Sequence, residues 1–157
     1  FKGVERRFSF VGSLKNIKII DDYAHHPTEI KNTLKAAKLL CKGKLIVVFE
    51  PHRYTRLIDL YDEFINSFSD ADYLYVTKIY SAGEKKIKDI NEKIIVNSIK
   101  KNGHKNVYCF KDENYMEVEL SKIATSKDFI IFLGAGSISK KARSMQKSML
   151  KIINNKL

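Results

Sequence analysis

The chain has 157 residues, of which 44% are hydrophobic, and its formal net charge is +11. This length and composition predict one folded domain with a normal core and exclude an intrinsically disordered chain. No apolar run approaches the roughly 20 residues that a membrane helix needs, and the first eight residues lack the apolar core of a signal peptide. We therefore expect a soluble, cytoplasmic protein without a membrane partner.

The positive charge comes mainly from lysine. Five of the 29 basic residues are arginine, and the lysines are scattered among acidic residues. This pattern favours a solvated surface over a nucleic-acid-binding face. A basic nucleic-acid-binding module, whose binding would be salt-sensitive, stays open as an alternative.

The hydrophobic pattern predicts alternating strands and helices along most of the chain. The predicted strands, of which the first two form a hairpin, cover 8–12, 17–20, 45–49, 73–77, 107–110 and 129–133. The predicted helices cover 27–41, 56–67, 91–101, 114–124 and 137–153. This order predicts an α/β fold of the Rossmann-like, doubly wound type: a mostly parallel six-stranded sheet with an antiparallel N-terminal edge strand and helices on both faces.

A first cluster of polar residues, 21–29, follows the second predicted strand, where open α/β sheets place their ligands. His25 and His26 are adjacent and point in opposite directions, so one is expected to face the site while the other packs or caps. Tyr23 suits stacking on a base or a substrate, or packing in the core. Asp22 suits a hydrogen bond to a ribose hydroxyl, or capping of the helix that starts near Pro27.

A second cluster, 50–56, follows the next strand. The guanidinium groups of Arg53 and Arg56 suit a carboxylate or phosphate, because each can bond bidentately. The alternative is an ion pair within the protein, to Asp59 or Asp62. No zinc-type spacing occurs, so no metal is predicted; a metal hydrolase that uses three of the histidines remains a competing hypothesis.

A third cluster, Gly134 to Ser137, follows the last strand. Gly134 and Gly136 favour a close approach of the backbone to a ligand, with N–H groups at a helix start that can meet an anion. No Gly-x-x-x-x-Gly-Lys-Ser/Thr loop occurs, so the chain is not expected to cradle ATP phosphates by itself.

Taken together, the motifs at 3–8, 21–29, 51–56, 81–84 and 134–138 resemble the C-terminal domain of the Mur ligases over essentially the whole chain. The resemblance implies that residues 1–157 form the domain that brings the amino acid and closes over ATP, and that the UDP-sugar domain and the central ATPase domain are absent. It implies an ATP-dependent ligase that joins L-alanine to UDP-N-acetylmuramate through an acyl phosphate in peptidoglycan precursor synthesis. The chain alone is then expected to be inactive.

The same resemblance implies roles for individual residues. The two residues expected beside the reacting amine are His25 and His52. The residues expected to bind the substrate are Arg53, Arg56, Tyr23, His52 and Gly136. The residues expected to contact the nucleotide are Asp22, Tyr23 and His26. ATP and Mg²⁺ would be bound mainly by the central domain, and a ligase that recycles a whole peptide onto the same UDP-sugar is the nearest alternative.

Overall fold

A computed structural model describes residues 6–154, with side chains through residue 151. It contains a six-stranded sheet in the order β1-β2-β6-β3-β4-β5. The strands are β1 (Ser9–Leu14), β2 (Ile17–Asp22), β3 (Leu45–Phe49), β4 (Tyr73–Val76), β5 (Val107–Cys109) and β6 (Phe129–Leu133). The β1–β2 pair is antiparallel and all other pairs are parallel, which confirms the predicted sheet. Residues 3–5 of the first motif lie outside the described residues.

Both faces of the sheet are covered by helices, as predicted. The helices are α1 (Pro27–Leu40), α2 (Tyr54–Asp59), α3 (Tyr61–Ile65), α4 (Glu92–Lys101), α5 (Met116–Ile123) and α6 (Ile138–Asn154). Helices α1 to α4 pack on one face, where the core includes Leu34, Leu57 and Ile95. Helices α5 and α6 pack on the other face through residues such as Leu120 and Met145. Among the described residues, no helix is long and apolar enough to cross a membrane.

The hairpin that opens the fold has a two-residue turn. Lys15 and Asn16 both adopt positive φ, 47° and 64°. Two consecutive residues of positive φ are typical of the type I′ turn, whose twist matches that of the flanking strands. The hairpin therefore delivers β2 to the sheet with its carboxyl end at Asp22.

The predicted helix over 56–67 is wrong, because two short helices occupy this stretch. Leu60 separates them with non-helical dihedral angles, φ −116° and ψ 26°. The break lets Phe64 and Phe68 pack against Phe49, with ring centroids 5.9 and 5.0 Å away. Burial of these aromatic rings outweighs the helical periodicity of the sequence. The predicted helix over 114–124 similarly begins as a 3-10 turn, Glu113–Tyr115.

Candidate functional site

Strands β2, β6 and β3 end in register at one edge of the sheet. Asp22 is aligned with Leu133, which is aligned in turn with Phe49. The pairing continues past the strands, because the Glu50 N–H donates to the Leu133 carbonyl at 2.9 Å and the Gly134 N–H donates to the Asp22 carbonyl at 3.2 Å. The three polar clusters therefore start from neighbouring points, where an open α/β sheet places its ligands.

The carboxyl group of Asp22 is engaged with the backbone. Its oxygens accept the N–H groups of Ala24 and Phe8, each at 2.7 Å. The side chain is buried, and burial raises its pKa against the opposing effect of these hydrogen bonds. Asp22 thus fixes the turn that follows β2. The sequence also allowed Asp22 to cap α1, but the residue that caps this helix is His26.

His26 is the N-cap of α1. Its Nδ1 accepts the Thr28 N–H at 3.3 Å, and the Glu29 carboxylate accepts the N–H of His26 at 3.2 Å, which completes a capping box. Glu29 also accepts the His25 N–H at 3.2 Å. The structure thus confirms that one of the two adjacent histidines caps a helix.

His25 is the histidine that turns toward the second cluster. Its ring centroid lies 5.7 Å from that of His52, at an interplanar angle of 60°. Its Nδ1 lies 2.9 Å from the Tyr23 carbonyl oxygen and 3.6 Å from the Glu29 carboxylate. The Tyr23 ring meets the His25 ring edge-on at 4.9 Å, so the first cluster presents an imidazole flanked by an aromatic side chain.

His52 is held by Arg56. The Nη1 of this arginine donates to His52 Nδ1 at 3.1 Å. Burial lowers the pKa of His52, and the charges of Arg56, His25 and Arg53 lower it further. Among the described residues Arg56 makes no ion pair with Asp59 or Asp62. The alternative prediction, that this arginine pairs with one of these acids, is therefore wrong.

Arg53 has a strained backbone at the start of α2. Its φ is 70° and its ψ is 133°, a conformation that residues with a side chain rarely adopt. Strain of this kind persists where surrounding structure imposes it, and it concentrates at functional sites. The Arg53 side chain is exposed and has no hydrogen bond or ion pair within residues 6–154. The pKa of Glu84 is lowered by a hydrogen bond from the Thr55 side chain, and the charge of Arg53 contributes to this shift. Its exposure makes the Arg53 guanidinium accessible to a ligand.

Tyr80, which the sequence reasoning missed, joins the second and third clusters. Its N–H donates to the Pro51 carbonyl at 2.8 Å, and its carbonyl accepts the Arg53 N–H at 2.9 Å. Its ring stacks on His52 with centroids 5.4 Å apart and an angle of 18°. A Cβ placed on Gly136 would lie 2.5 Å from Cγ of this ring, so glycine at 136 is required by close packing.

Glu50 and Glu84 are two further residues that the predicted site omits. Buried Glu50 accepts the Ser137 hydroxyl at 2.6 Å and the Ile138 N–H at 3.2 Å, and thereby caps α6. Burial raises the pKa of Glu50. Glu84 accepts the Thr55 N–H at 3.2 Å and caps α2, for which Arg53 provides no side-chain hydrogen bond. Glu50 lies inside the second cluster and Glu84 ends the motif at 81–84. Both residues could therefore have been included in the predicted site from the sequence alone.

The predicted site residues are thus brought together to different degrees. His25, His52 and Arg56 are in direct contact, and Gly136 reaches them through Tyr80. The side chains of Asp22 and His26 are bonded to backbone groups nearby. Across residues 6–154, no group of three or more His, Cys, Asp or Glu side chains is placed to hold a metal ion.

Comparison with known proteins identifies the class to which this arrangement belongs. Residues 6–136 match the family described as "Mur ligase, glutamate ligase domain", so the chain belongs to the Mur ligase family. The UDP-N-acetylmuramate–L-alanine ligase of Sinorhizobium medicae is 40% identical over 156 residues, which are 99% of this chain and 33% of that protein. The ligase of the same name from Sinorhizobium fredii is 41% identical over 152 residues, 97% of this chain and 32% of that protein. The chain therefore spans about a third of the length of the curated relatives it matches.

Solved structures give the same result. The UDP-N-acetylmuramate–alanine ligase MurC of Thermotoga maritima superposes with a TM-score of 0.72 at 32% identity, over 96% of this chain and 31% of that one. A murein peptide ligase from Psychrobacter arcticus has a TM-score of 0.71 at 22% identity, over 96% of this chain and 30% of that one, and shows the shared fold alone. The family predicted from the motifs is confirmed.

Proposed function

We propose that this chain is the C-terminal domain of an ATP-dependent ligase that joins L-alanine to UDP-N-acetylmuramate. The observation that carries the proposal is the meeting of His25, His52 and Arg56 at in-register strand ends. Whole-chain similarity to ligases of that name supports it. The proposed reaction is an attack of the alanine amine on an acyl phosphate, which gives an amide and phosphate in peptidoglycan precursor synthesis.

The substrate amino acid would be held by its carboxylate. Arg53 offers an exposed guanidinium. Arg56 contacts both Nδ1 and the carbonyl oxygen of His52 through Nη1, and its Nε and Nη2 N–H groups stay available. A pair of planar forks matches the two oxygens of a carboxylate. The amine would then lie beside His25 and His52, with Gly136 and Tyr23 bordering the substrate. Holding the amine against the acyl carbon can supply a large part of the rate enhancement.

The nucleotide would approach from the side of Tyr23. Residue Tyr23 is 39% exposed and borders a cavity of about 270 Å³ lined also by Arg7, Asp22 and Thr33. We assign base or ribose contacts to Tyr23 and His26, and a supporting role to Asp22, because both of its oxygens accept backbone N–H groups. ATP, with Mg²⁺, supplies the phosphoryl group that activates the muramate carboxylate, and its main binding site is assigned to the rest of the ligase.

Two alternatives are not favoured. The peptide-recycling ligase shares the fold, but the murein peptide ligase structure from Psychrobacter arcticus is 22% identical to the chain, against 32% for the UDP-N-acetylmuramate–alanine ligase structure from Thermotoga maritima. The hypothesis of a nucleic-acid-binding module does not explain why two imidazoles and a guanidinium meet at one edge of the sheet. A cytoplasmic location and the absence of nucleic-acid and membrane partners stay predictions.

The proposal is tested by titrating the ¹⁵N-labelled chain with L-alanine while its amide NMR spectrum is recorded. L-alanine is expected to shift the amides of His25 and of residues 52–56, whereas L-alaninamide, which lacks the carboxylate, is not. Arg53→Ala should abolish the response. Arg143→Ala, which removes an exposed arginine on α6, should leave it intact and serves as the matched control.

The same titration includes the competing ligands. A response to a short DNA duplex that weakens with salt, without any response to L-alanine, would contradict the proposal. It would support the hypothesis that the chain is a nucleic-acid-binding module. A response to the free tripeptide L-alanyl-γ-D-glutamyl-diaminopimelate, with none to L-alanine, would instead support the hypothesis of a peptide-recycling ligase.

A further inference from the structure

The Nδ1 atoms of His25 and His52 face groups with opposite hydrogen-bonding roles: an acceptor at His25 and a donor at His52. His25 Nδ1 lies 2.9 Å from the carbonyl oxygen of Tyr23. A carbonyl oxygen can accept a hydrogen bond but has no proton to donate, so His25 Nδ1 must carry the hydrogen. In the neutral ring, His25 Nε2 is then an unprotonated acceptor. The Glu29 carboxylate, 3.6 Å from Nδ1, favours the same arrangement.

His52 has the opposite arrangement. Its Nδ1 lies 3.1 Å from Nη1 of Arg56. A guanidinium group can donate but never accept, so His52 Nδ1 must be the acceptor, and the hydrogen of the neutral ring lies on Nε2. Burial together with the charges of Arg56, His25 and Arg53 lowers the pKa of His52, which favours the neutral ring, whereas the charge of Glu84 acts in the other direction.

The Nε2 atoms of both rings are open to a ligand. Within the described residues, neither has a hydrogen-bond partner, and neither is among the buried polar atoms that lack one. The two rings, whose centroids lie 5.7 Å apart, therefore present two chemically different Nε2 atoms: one with a lone pair on His25 and one with an N–H on His52.

We propose that His25 and His52 are locked in opposite tautomers and divide the chemistry of the site: His25 Nε2 accepts a proton from the substrate ammonium group, and His52 Nε2–H donates to the substrate carboxylate. Arg56 is then a positioning residue that fixes the His52 tautomer, in addition to any contact with the substrate. The division of roles rests on the proposed function, whereas the tautomers do not.

The proposed step is balanced as follows. The ammonium group of L-alanine transfers one proton to His25 Nε2 and becomes an amine. Its lone pair forms the C–N bond with the acyl carbon, and the C–O bond to phosphate breaks with its electron pair leaving on the phosphate. The nitrogen then loses its surplus proton to solvent, and the His25 imidazolium returns its proton to solvent.

The tautomers are measured directly by long-range ¹H–¹⁵N NMR correlation of the histidine rings in the ¹⁵N-labelled chain at pH 8. The chain has four histidines, and the other two are internal controls. His26 Nδ1 accepts the Thr28 N–H, and His104 Nε2 lies 2.8 Å from the Ala71 carbonyl oxygen. Both are therefore expected to carry the hydrogen on Nε2, like His52, and His25 alone is expected to carry it on Nδ1.

Single His→Gln variants assign the four ring signals. The expected result is one Nδ1–H ring, lost in His25→Gln, and three Nε2–H rings. A His25 signal of the Nε2–H type, or a His52 signal of the Nδ1–H type, would overturn the inference. Arg56→Met, which removes the donor and keeps an unbranched side chain, should raise the pKa of His52 and leave the ring signals of His104 unchanged.

Kinetics separate this inference from the proposed function. In a ligase that carries this chain with its other domains, His25→Gln should lower kcat on the order of 100-fold with little change in KM for L-alanine. His52→Ala should raise KM for L-alanine, and His52→Gln, which retains a donor, should restore part of the affinity. If His25→Gln and His52→Ala lower kcat equally, the division of roles is refuted. The proposed function would still be supported in that case, provided that L-alanine binds. Opposite tautomers without any response to L-alanine would refute the function alone.

Discussion

Gly136→Ala is expected to damage both stability and the site, because the added methyl group has no space. Its Cβ would lie 2.5 Å from Tyr80 Cγ and 2.5 Å from Glu50 Oε1, where carbon contacts normally need about 3.5–4 Å. Each neighbour must therefore move by about 1 Å. Tyr80 cannot do so without disturbing its stack on His52, and Glu50 cannot do so without disturbing its cap on α6.

Overpacking of this kind typically costs about 1–3 kcal/mol. In a chain of this size, that loss corresponds to a fall in Tm of about 2–12 °C. The assay is urea and thermal unfolding followed by circular dichroism, together with the ring signals of His52, which should shift because Tyr80 moves.

Gly12→Ala is the matched control. Its Cβ would meet the amide end of Gln146, an atom group at the tip of a flexible side chain that can turn away. The cost is then at most the hydrogen bond from Gln146 to the Ser13 carbonyl, about 0.5–1 kcal/mol. Equal losses for the two variants, with the His52 signals unchanged in Gly136→Ala, would refute the close packing of the glycine turn against Tyr80.

Two further predictions concern carboxylates that cap helices. In Glu50→Gln the amide oxygen can accept the Ile138 N–H while the amide NH2 donates to the Ser137 hydroxyl oxygen, so both contacts persist without a buried charge. This variant should be at least as stable as the wild type at pH 8, whereas Glu50→Ala should lose about 1–3 kcal/mol by urea unfolding. Because burial raises the pKa of Glu50, its ionisation opposes folding at high pH, and the advantage of Glu50→Gln should vanish as the pH falls; an advantage that grows instead would contradict the assignment. For Glu29, burial raises the pKa but the hydrogen bonds from the N–H groups of His25 and His26 outweigh it, so the pKa is lowered. Glu29→Gln should therefore be less stable than the wild type above pH 5 and approach it as the pH falls through the lowered pKa; a difference that is independent of pH would rule out this contribution.

Much of the fold follows from local patterns in the sequence. The apolar runs of β3 and β6 are fully buried, as a strand covered on both faces requires. Pro27 lies in the first turn of α1, with basic Lys38 in its last turn, as helix signals predict. The break at Leu60 could not be predicted in this way, because it is imposed by the packing of distant aromatic rings on Phe49.

The predicted site had a different limit. Residues of the polar clusters that follow β2 and β3, such as His25 and His52, could be placed at the sheet edge from their position alone. Tyr80 lies at a comparable distance beyond β4, but its pairing with Pro51 and Arg53 is a contact between two loops. No periodicity signals such a contact, so its role was visible only in three dimensions.

The geometry at Arg53 depends on that loop contact. A residue at φ 70° cannot serve as an ordinary helix cap, and α2 takes its cap from Glu84 instead. The segment from Tyr80 to Glu84 therefore bonds to the chain on both sides of Arg53, at Pro51 and at Thr55. A strained residue remains in place when its flanks are held in this way. It follows that the backbone of Arg53 is held by the loop after β4 as much as by its own strand. Under the proposed function, a change in that loop should therefore weaken the NMR response to L-alanine without touching either arginine.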